Sequence, residues 1–303
     1  MKANLKRGET GTENVRVLNN NQRISQSSVK VHKILYTKQD CLRNKKPFTL
    51  PQNYEIYVKR TNEKIILQNE IARAYYMNEL PIRPGEFNKK VLDLGCGLGT
   101  NTAALISLFE THDVYALDIS KDFINIASEF LIAPNNNLCF IHKAFEDFDK
   151  LKFDFILCSH TLQYIDTPLI PFLKKIFEHL THNGEAWIIL QEEHGINQIV
   201  RESIPFLNKK SPHFNDWFVH CYVRELLLDL GVKIRAQTFL SYFFAPNMDD
   251  LNNGDINLLN FFLLDGFEIN NIELRNTLKN LIEHQSIKGF IPHEVGITKF
   301  RKI

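Results

Sequence analysis

The stretch KKVLDLGCGLGTNT, Lys89–Thr102, decides the fold. Its first half, Lys90–Leu94, is a short apolar run of the kind that forms a strand buried on both faces. Its second half places glycines at alternate positions, Gly95, Gly97 and Gly99, ahead of the helix-forming TNTAALISLFE. A strand, a glycine turn and a helix in that order open a parallel α/β sheet and let a ligand approach the backbone closely.

The alternation continues outward from this unit. DVYALDIS (113–120), NLCFIHK (137–143), FDFILCSH (153–160) and EAWIILQ (185–191) read as further strands. Between them KDFINIASEFL and PLIPFLKKIFEHL read as helices, the second stopped by Asn183-Gly184. Such repetition predicts right-handed crossovers and an α/β, Rossmann-like, doubly wound sheet of seven strands with an antiparallel final pair. Upstream, NYEIYVKRTNEKIILQNEIARAYYMNEL predicts one or two helices. Downstream, VRELLLDLG predicts a helix capped by Gly231, and KIRAQTFLSYFF and HEVGITKF predict the last strands. The segment between those two strands carries the helical patterns DINLLNFFLLDGF and NIELRNTLKNLIEHQ, a late insertion over about 245–290. An insertion of that length in a compact domain is usually functional, and with the helices before residue 80 it is expected to form a helical cover over the substrate.

The overall charge of +1 is unevenly spread. Residues 1–46 carry 11 Lys/Arg against 3 Asp/Glu, a net of +8, which leaves −7 on the rest. That basic segment, poor in large apolar residues, reads as a disordered tail ahead of one domain over 47–303. An acidic body argues against a nucleic-acid partner. No run of about 18 apolar residues marks a membrane span. The N-terminus lacks the apolar core of a secretory signal. The five cysteines include no CxxC pair, so neither a disulfide framework nor a zinc site is expected, and the expected location is cytoplasmic.

Phosphate ligands fit the turn poorly. A triphosphate loop needs GxxxxGK[ST], and no lysine follows here. A dinucleotide turn needs GxGxxG, and Thr102 stands where the third glycine belongs. What remains is an acid, Asp93, followed by three spaced glycines. An acid at a strand end can accept from a cationic amine, and S-adenosylmethionine carries such an amine and no phosphate. The second strand ends in Asp118, 21 residues beyond Gly97, where a carboxylate can accept both ribose hydroxyls.

The DxGxGxG pattern with this second acid resembles the class I S-adenosylmethionine-dependent methyltransferases over about residues 89–191. The resemblance implies a methyltransferase with S-adenosyl-L-methionine as cofactor. It assigns the methionine part to Asp93, Gly95, Cys96, Gly97 and Gly99 and the ribose to Asp118. It also places Ile119, Phe145, Glu146 and Ser159 at the cofactor. Ala144 stands where the family often has an adenine-binding acid, so Phe145 or Glu146 takes that place. The segment CSHTLQYIDTP (158–168) follows the fourth strand, where the acceptor meets the methyl group. It lacks the [ND]PP[YF] signature of nucleic-acid amine methyltransferases. Asp166 is its lone acid, so no metal is expected.

Order and spacing beyond the core are similar to the histamine N-methyltransferase family. That resemblance implies a small-molecule acceptor, an amine nitrogen above all, lined by Tyr57, Glu70, His160, Gln163, Tyr164, Phe243 and His293. Glu70 is expected to grip a substrate cation. His160, with Tyr164, is expected to act in catalysis, His160 as the group that takes the acceptor's proton. His179 and His182 read as solvated residues at a helix end. A monomer or homodimer is expected. Two other readings stay open: methylation of a peptide or protein side chain, and a protein that binds S-adenosylmethionine without turnover.

Overall fold

In the computed structural model, the residues described are 50–303 apart from 132–137, 150, 166, 208–219 and 264–266. The basic tail over 1–46, Asp166 and Trp217 lie outside them. Two helices, α1 (Pro51–Arg60) and α2 (Glu63–Tyr76), precede the sheet. The alternating core follows as β1 (Lys90–Leu94), α3 (Thr100–Leu108), β2 (Asp113–Asp118), α4 (Lys121–Phe130) and β3 (Leu138–His142). It continues through β4 (Phe153–Ser159), α5 (Leu169–Glu178) and β5 (Leu180–Gln191). The last part runs α6 (Ile196–Ser203), α7 (His220–Asp229), β6 (Ile234–Phe244), α8 (Asn253–Phe262), α9 (Ile272–Gln285) and β7 (Phe290–Arg301).

The strands form one seven-stranded sheet in the order β3-β2-β1-β4-β5-β7-β6. Strands β1 to β5 pair in parallel, and β7 runs antiparallel to both β5 and β6. This is the seven-stranded Rossmann-like sheet with an antiparallel end that the sequence pattern implies. The chain order reverses beside β1, so the carboxyl ends of β1, β2 and β4 open onto one crevice.

Side-chain parity fixes what faces that crevice. Leu92, Leu94, Ile156 and Ile188 pack on one face with α5 and α7. Val91, Phe155, Leu157 and Trp187 pack on the other with α2 and α3. Asp93 shares parity with Val91, so it meets α2 and α3 rather than the opposite layer. Each fully buried Leu, Ile or Phe contributes about 1.5–3 kcal/mol through lost apolar exposure, which makes the two layers a stiff platform.

A third apolar cluster lies apart from these layers. It gathers Tyr57 of α1, Ile196 and Val200 of α6, Phe243, Leu258 and Phe262 of α8, and Leu278 and Ile282 of α9. Helix α8 is fixed at its start by a reciprocal cap: Asp255 N–H donates to Asn252 Oδ1, and Asn252 N–H donates to Asp255 Oδ2. Arg60 then pairs with Asp255 at 2.6 Å, tying the end of α1 to the start of α8.

Three local expectations change. Asn183-Gly184 does not stop a helix. Helix α5 ends at Glu178, and the pair lies inside β5, where the β4 register shifts between Phe153 and Phe155. A side chain at Gly184 would stand 2.8 Å from the Phe153 carbonyl oxygen. His179 is not solvated. It is buried, its Nδ1 meets the Lys175 carbonyl, and its ring lies against Phe145 and Phe148. Helix α6 has no counterpart in the sequence reading, because eight residues give too few turns for a clear period.

Candidate active site

The glycine turn is held by backbone and by two acids. Gly95, Gly97 and Gly99 have φ of +73°, +54° and +80°, a region that disfavours side chains. A Cβ on Gly95 would stand 2.1 Å from Thr161 Oγ1, and one on Gly97 would stand 3.1 Å from the Tyr54 ring. Tyr54 of α1 thus lies directly on the turn.

Asp118 is buried at the tip of β2. Its Oδ2 accepts from Gly97 N–H at 2.8 Å and its Oδ1 from Ser120 N–H at 2.8 Å. Each oxygen keeps a second lone pair for a hydroxyl. Burial raises the Asp118 carboxyl, and the backbone donors oppose that. Asp93 accepts from Thr102 Oγ1 at 2.6 Å. Burial pushes its carboxyl up to about 6, with Thr102 and Lys64 pulling the other way. A buried carboxylate that resists ionisation, beside an open glycine turn, fits a ligand that brings a cation. These residues fit S-adenosylmethionine. The loop backbone and Asp93 would hold the amino-acid end and Asp118 the ribose. Burial drives the Cys96 thiol well up, so it is no nucleophile.

The other half of the site centres on a carboxylate that the sequence reading passed over. Glu63, the first residue of α2, is completely buried. Its Oε1 meets His160 Nε2 at 2.5 Å. Its Oε2 accepts from the Tyr57 hydroxyl at 2.9 Å, and His293 Nε2 lies 3.5 Å away. Burial alone would raise this carboxyl, but His160, His293 and Lys64 outweigh it and hold Glu63 well below the carboxylate range. His160 directly follows β4 with φ of +54°, a strained backbone for a histidine, while its N–H still bonds the Ile189 carbonyl of β5. Phe243 stacks on the His293 ring at 4.3 Å between centroids, and Tyr57 stacks on Phe261 at 4.3 Å.

Of the residues read from sequence, Asp93, the three glycines, Cys96, Asp118 and Ser159 gather at the strand tips. Tyr57, His160 and His293 gather on Glu63, with Phe243 packed against Tyr57 and His293. Gln163 and Tyr164 sit in the short helical turn Leu162–Tyr164 beyond His160. Burial pushes the Tyr164 phenol well up, which favours its protonated form.

Four further residues make the following contacts. Glu70 is engaged by Arg73 at 2.8 Å and Lys299 at 2.9 Å, so the cation it grips is the protein's own. Phe145 turns its ring into the core against Phe172 and His179. Glu146 accepts from Thr167 Oγ1 at 2.7 Å. Ile119 is exposed, and its carbonyl meets His142 Nε2. Glu63 and Glu70 lie two turns apart on one helix face, so helical spacing alone cannot choose between them. The usable signal was position: an acid in the first turn of α2, behind the Thr61-Asn62 break, points back at the sheet.

Residues 91–184 match the family model described as a methyltransferase domain. Over these residues the chain is similar to methyltransferase domains. The ubiquinone biosynthesis O-methyltransferase of Glaesserella parasuis is 32% identical to it over 34% of this chain and 45% of that protein. The mitochondrial ubiquinone biosynthesis O-methyltransferase of Saccharomyces cerevisiae is 29% identical over 60% of this chain and 54% of that protein. The chain spans about half the length of these curated relatives. Among solved structures, the YcgJ protein of Bacillus subtilis has a TM-score of 0.54 at 11% identity, over 78% of this chain and 97% of that one. The plantazolicin methyltransferase BpumL in complex with SAH has a TM-score of 0.51 at 14% identity, over 92% of this chain and 99% of that one. At such identities the likeness is one of fold. The buried acids and the glycine turn fit S-adenosylmethionine as cofactor, and among the described residues no helix is long and apolar enough to cross a membrane.

Proposed function

We propose that this protein transfers a methyl group from S-adenosylmethionine to a small-molecule acceptor that enters neutral and gives up a proton to His160. The observation that carries this reading is the Glu63–His160 contact at the tip of β4, beside the glycine turn. The cofactor supplies an electrophilic methyl carbon on a sulfonium. Everything else falls to the chain's own residues.

Glu63 accepts from His160 Nε2–H and so leaves Nδ1 as the nitrogen with a free lone pair. Glu63 also stabilises the imidazolium once the proton has arrived. Tyr57 and His293 steady the far oxygen of Glu63. Tyr54, Tyr57, Phe243 and Phe261 supply aromatic walls that align the acceptor and exclude water, and alignment is a large share of such catalysis. Gln163 Oε1 and His293 Nδ1 are buried without partners among the described residues, which suits a polar acceptor group.

The identity of the reacting atom follows from charge. Glu63 is already engaged by three partners, and Glu70 is paired elsewhere, so neither is open to a cationic amine. A hydroxyl acceptor fits best, in keeping with the O-methyltransferase names of the two curated relatives. An amine nitrogen, the reading that the histamine N-methyltransferase likeness favours, fits if it arrives unprotonated. The test is a mass-spectrometric screen of the purified protein with S-adenosylmethionine against phenols, alcohols, biogenic amines and peptides. A gain of one methyl on a small hydroxyl or neutral amine compound is expected. Methylation of peptides alone would overturn the reading.

A further inference from the structure

Lys64 is the neighbour of Glu63 in the first turn of α2, yet it faces a different partner set. It is only 4% exposed. Its Nζ donates to Ser159 Oγ at 3.2 Å, its one hydrogen bond among the described residues. No carboxylate lies within ion-pair distance of it there, although Glu63 and Asp93 both act on it through their fields. Glu63 is turned to His160 at 2.5 Å and Asp93 to Thr102 at 2.6 Å.

An ammonium buried with one neutral partner is costly, because it has left water without finding a counter-charge. Burial accordingly lowers its proton affinity. Such a group calls for an anion. Its place in the sheet says which one. Ser159 ends β4 and Asp93 lies near the end of β1, and these two strands are hydrogen-bonded neighbours. A buried cation and a buried carboxylate thus stand at adjacent strand tips beside the glycine turn. That is the charge pattern of a free α-amino acid read in reverse.

We propose that Lys64 holds the α-carboxylate of the methionine part of S-adenosylmethionine, while Asp93 takes its α-amine. This rests on the cofactor assignment above and extends it to a residue from α2, outside the alternating core. The first turn of α2 then serves both ligands, with Glu63 directed to the acceptor side and Lys64 to the cofactor side.

The test is titration calorimetry of the full chain with S-adenosylmethionine and with decarboxylated S-adenosylmethionine, which keeps the amine and the sulfonium. The wild-type protein is expected to bind the decarboxylated compound at least about 30-fold more weakly, the scale of losing one partner of a buried charge pair. Lys64→Met is expected to lose as much affinity for S-adenosylmethionine and to bind the two compounds alike. Lys64→Arg is expected to restore part of the preference. Equal wild-type affinity for the two compounds would overturn the proposal, as would a Lys64→Met protein that still prefers the carboxylate. The wild-type comparison needs no variant, so it decides even if Lys64→Met does not fold. Failure of the wild-type protein to bind either compound would instead overturn the cofactor assignment.

Discussion

The carboxylates and glycines proposed to hold the cofactor lie within one short span of chain, from Asp93 to Asp118, whereas the proposed acceptor half joins Tyr57, Glu63, His160 and His293 across most of it. In the first half the work is done by backbone: N–H groups of Gly97 and Ser120 grip Asp118, and the glycines keep the turn open. In the second it is done by side chains that meet only after α1, α2, β4 and β7 have packed. A contact made by spacing along a strand–turn–helix unit is written locally. A contact made by tertiary packing is not.

The sharpest way to break the contrast is in the cofactor half. Asp118→Ala should weaken S-adenosylmethionine binding by about 100-fold or more, since a buried, doubly bonded carboxylate is removed. Calorimetry would register this, and an unchanged affinity would sink the ribose assignment. Glu63→Gln should do the reverse. Turnover of the acceptor should fall by about 100-fold, the low end of general-base contributions, with cofactor affinity within a few-fold of wild type. Single-turnover and binding measurements on one preparation would separate these effects, and an equal loss in both would merge the two halves.

A pH series sharpens the comparison further. With its carboxyl pushed up to about 6, Asp93 is protonated more readily in the folded chain than in the unfolded one. Its contribution to the ligand-free fold is therefore favourable below about pH 4 and fades as pH rises through about 6. A cationic ligand reverses the preference. Cofactor affinity should fall about tenfold per pH unit below about 6. Lys64 and Asp118 share this field, so the control is Asp93→Asn, in which that slope should vanish. A slope that persists there would assign the titration to another group.

The smallest effect belongs to the cover. Asn252→Ala removes the cap of α8 and should cost about 1 kcal/mol of stability in a urea melt. Cofactor affinity should not move, because Asn252 touches only the cover. A drop in cofactor binding would mean that the cover and the glycine turn are coupled.

These differences also explain what the sequence made legible. The alternation of strands and helices, the glycine turn and both acids of the cofactor half follow from periodicity and short spacing. His160 was reachable because it stands at a strand end. Glu63 was not, because Glu70 satisfies the same helical face and nothing local reports that Arg73 and Lys299 neutralise it. The part played by Phe145 is hard to read for a related reason. A short helical turn starts at Phe145, and its first side chain turns into the core. The turn at Asn183-Gly184 has the composition of a helix stop, and only the pairing of β5 with β4 makes it a strand irregularity.

The Tyr54 ring, 3.1 Å from where a Cβ on Gly97 would stand, bears on how this chain can vary. Positions 54 and 97 are far apart in sequence but meet at the turn. A side chain at 97 would meet both the Tyr54 ring and an unfavourable positive φ, so a smaller residue at 54 lifts one of two barriers, while a change at 54 alone leaves the turn bare. Related sequences should therefore keep glycine at 97 even where 54 changes, and the residue at 54 then reports how closely the first helix covers the turn.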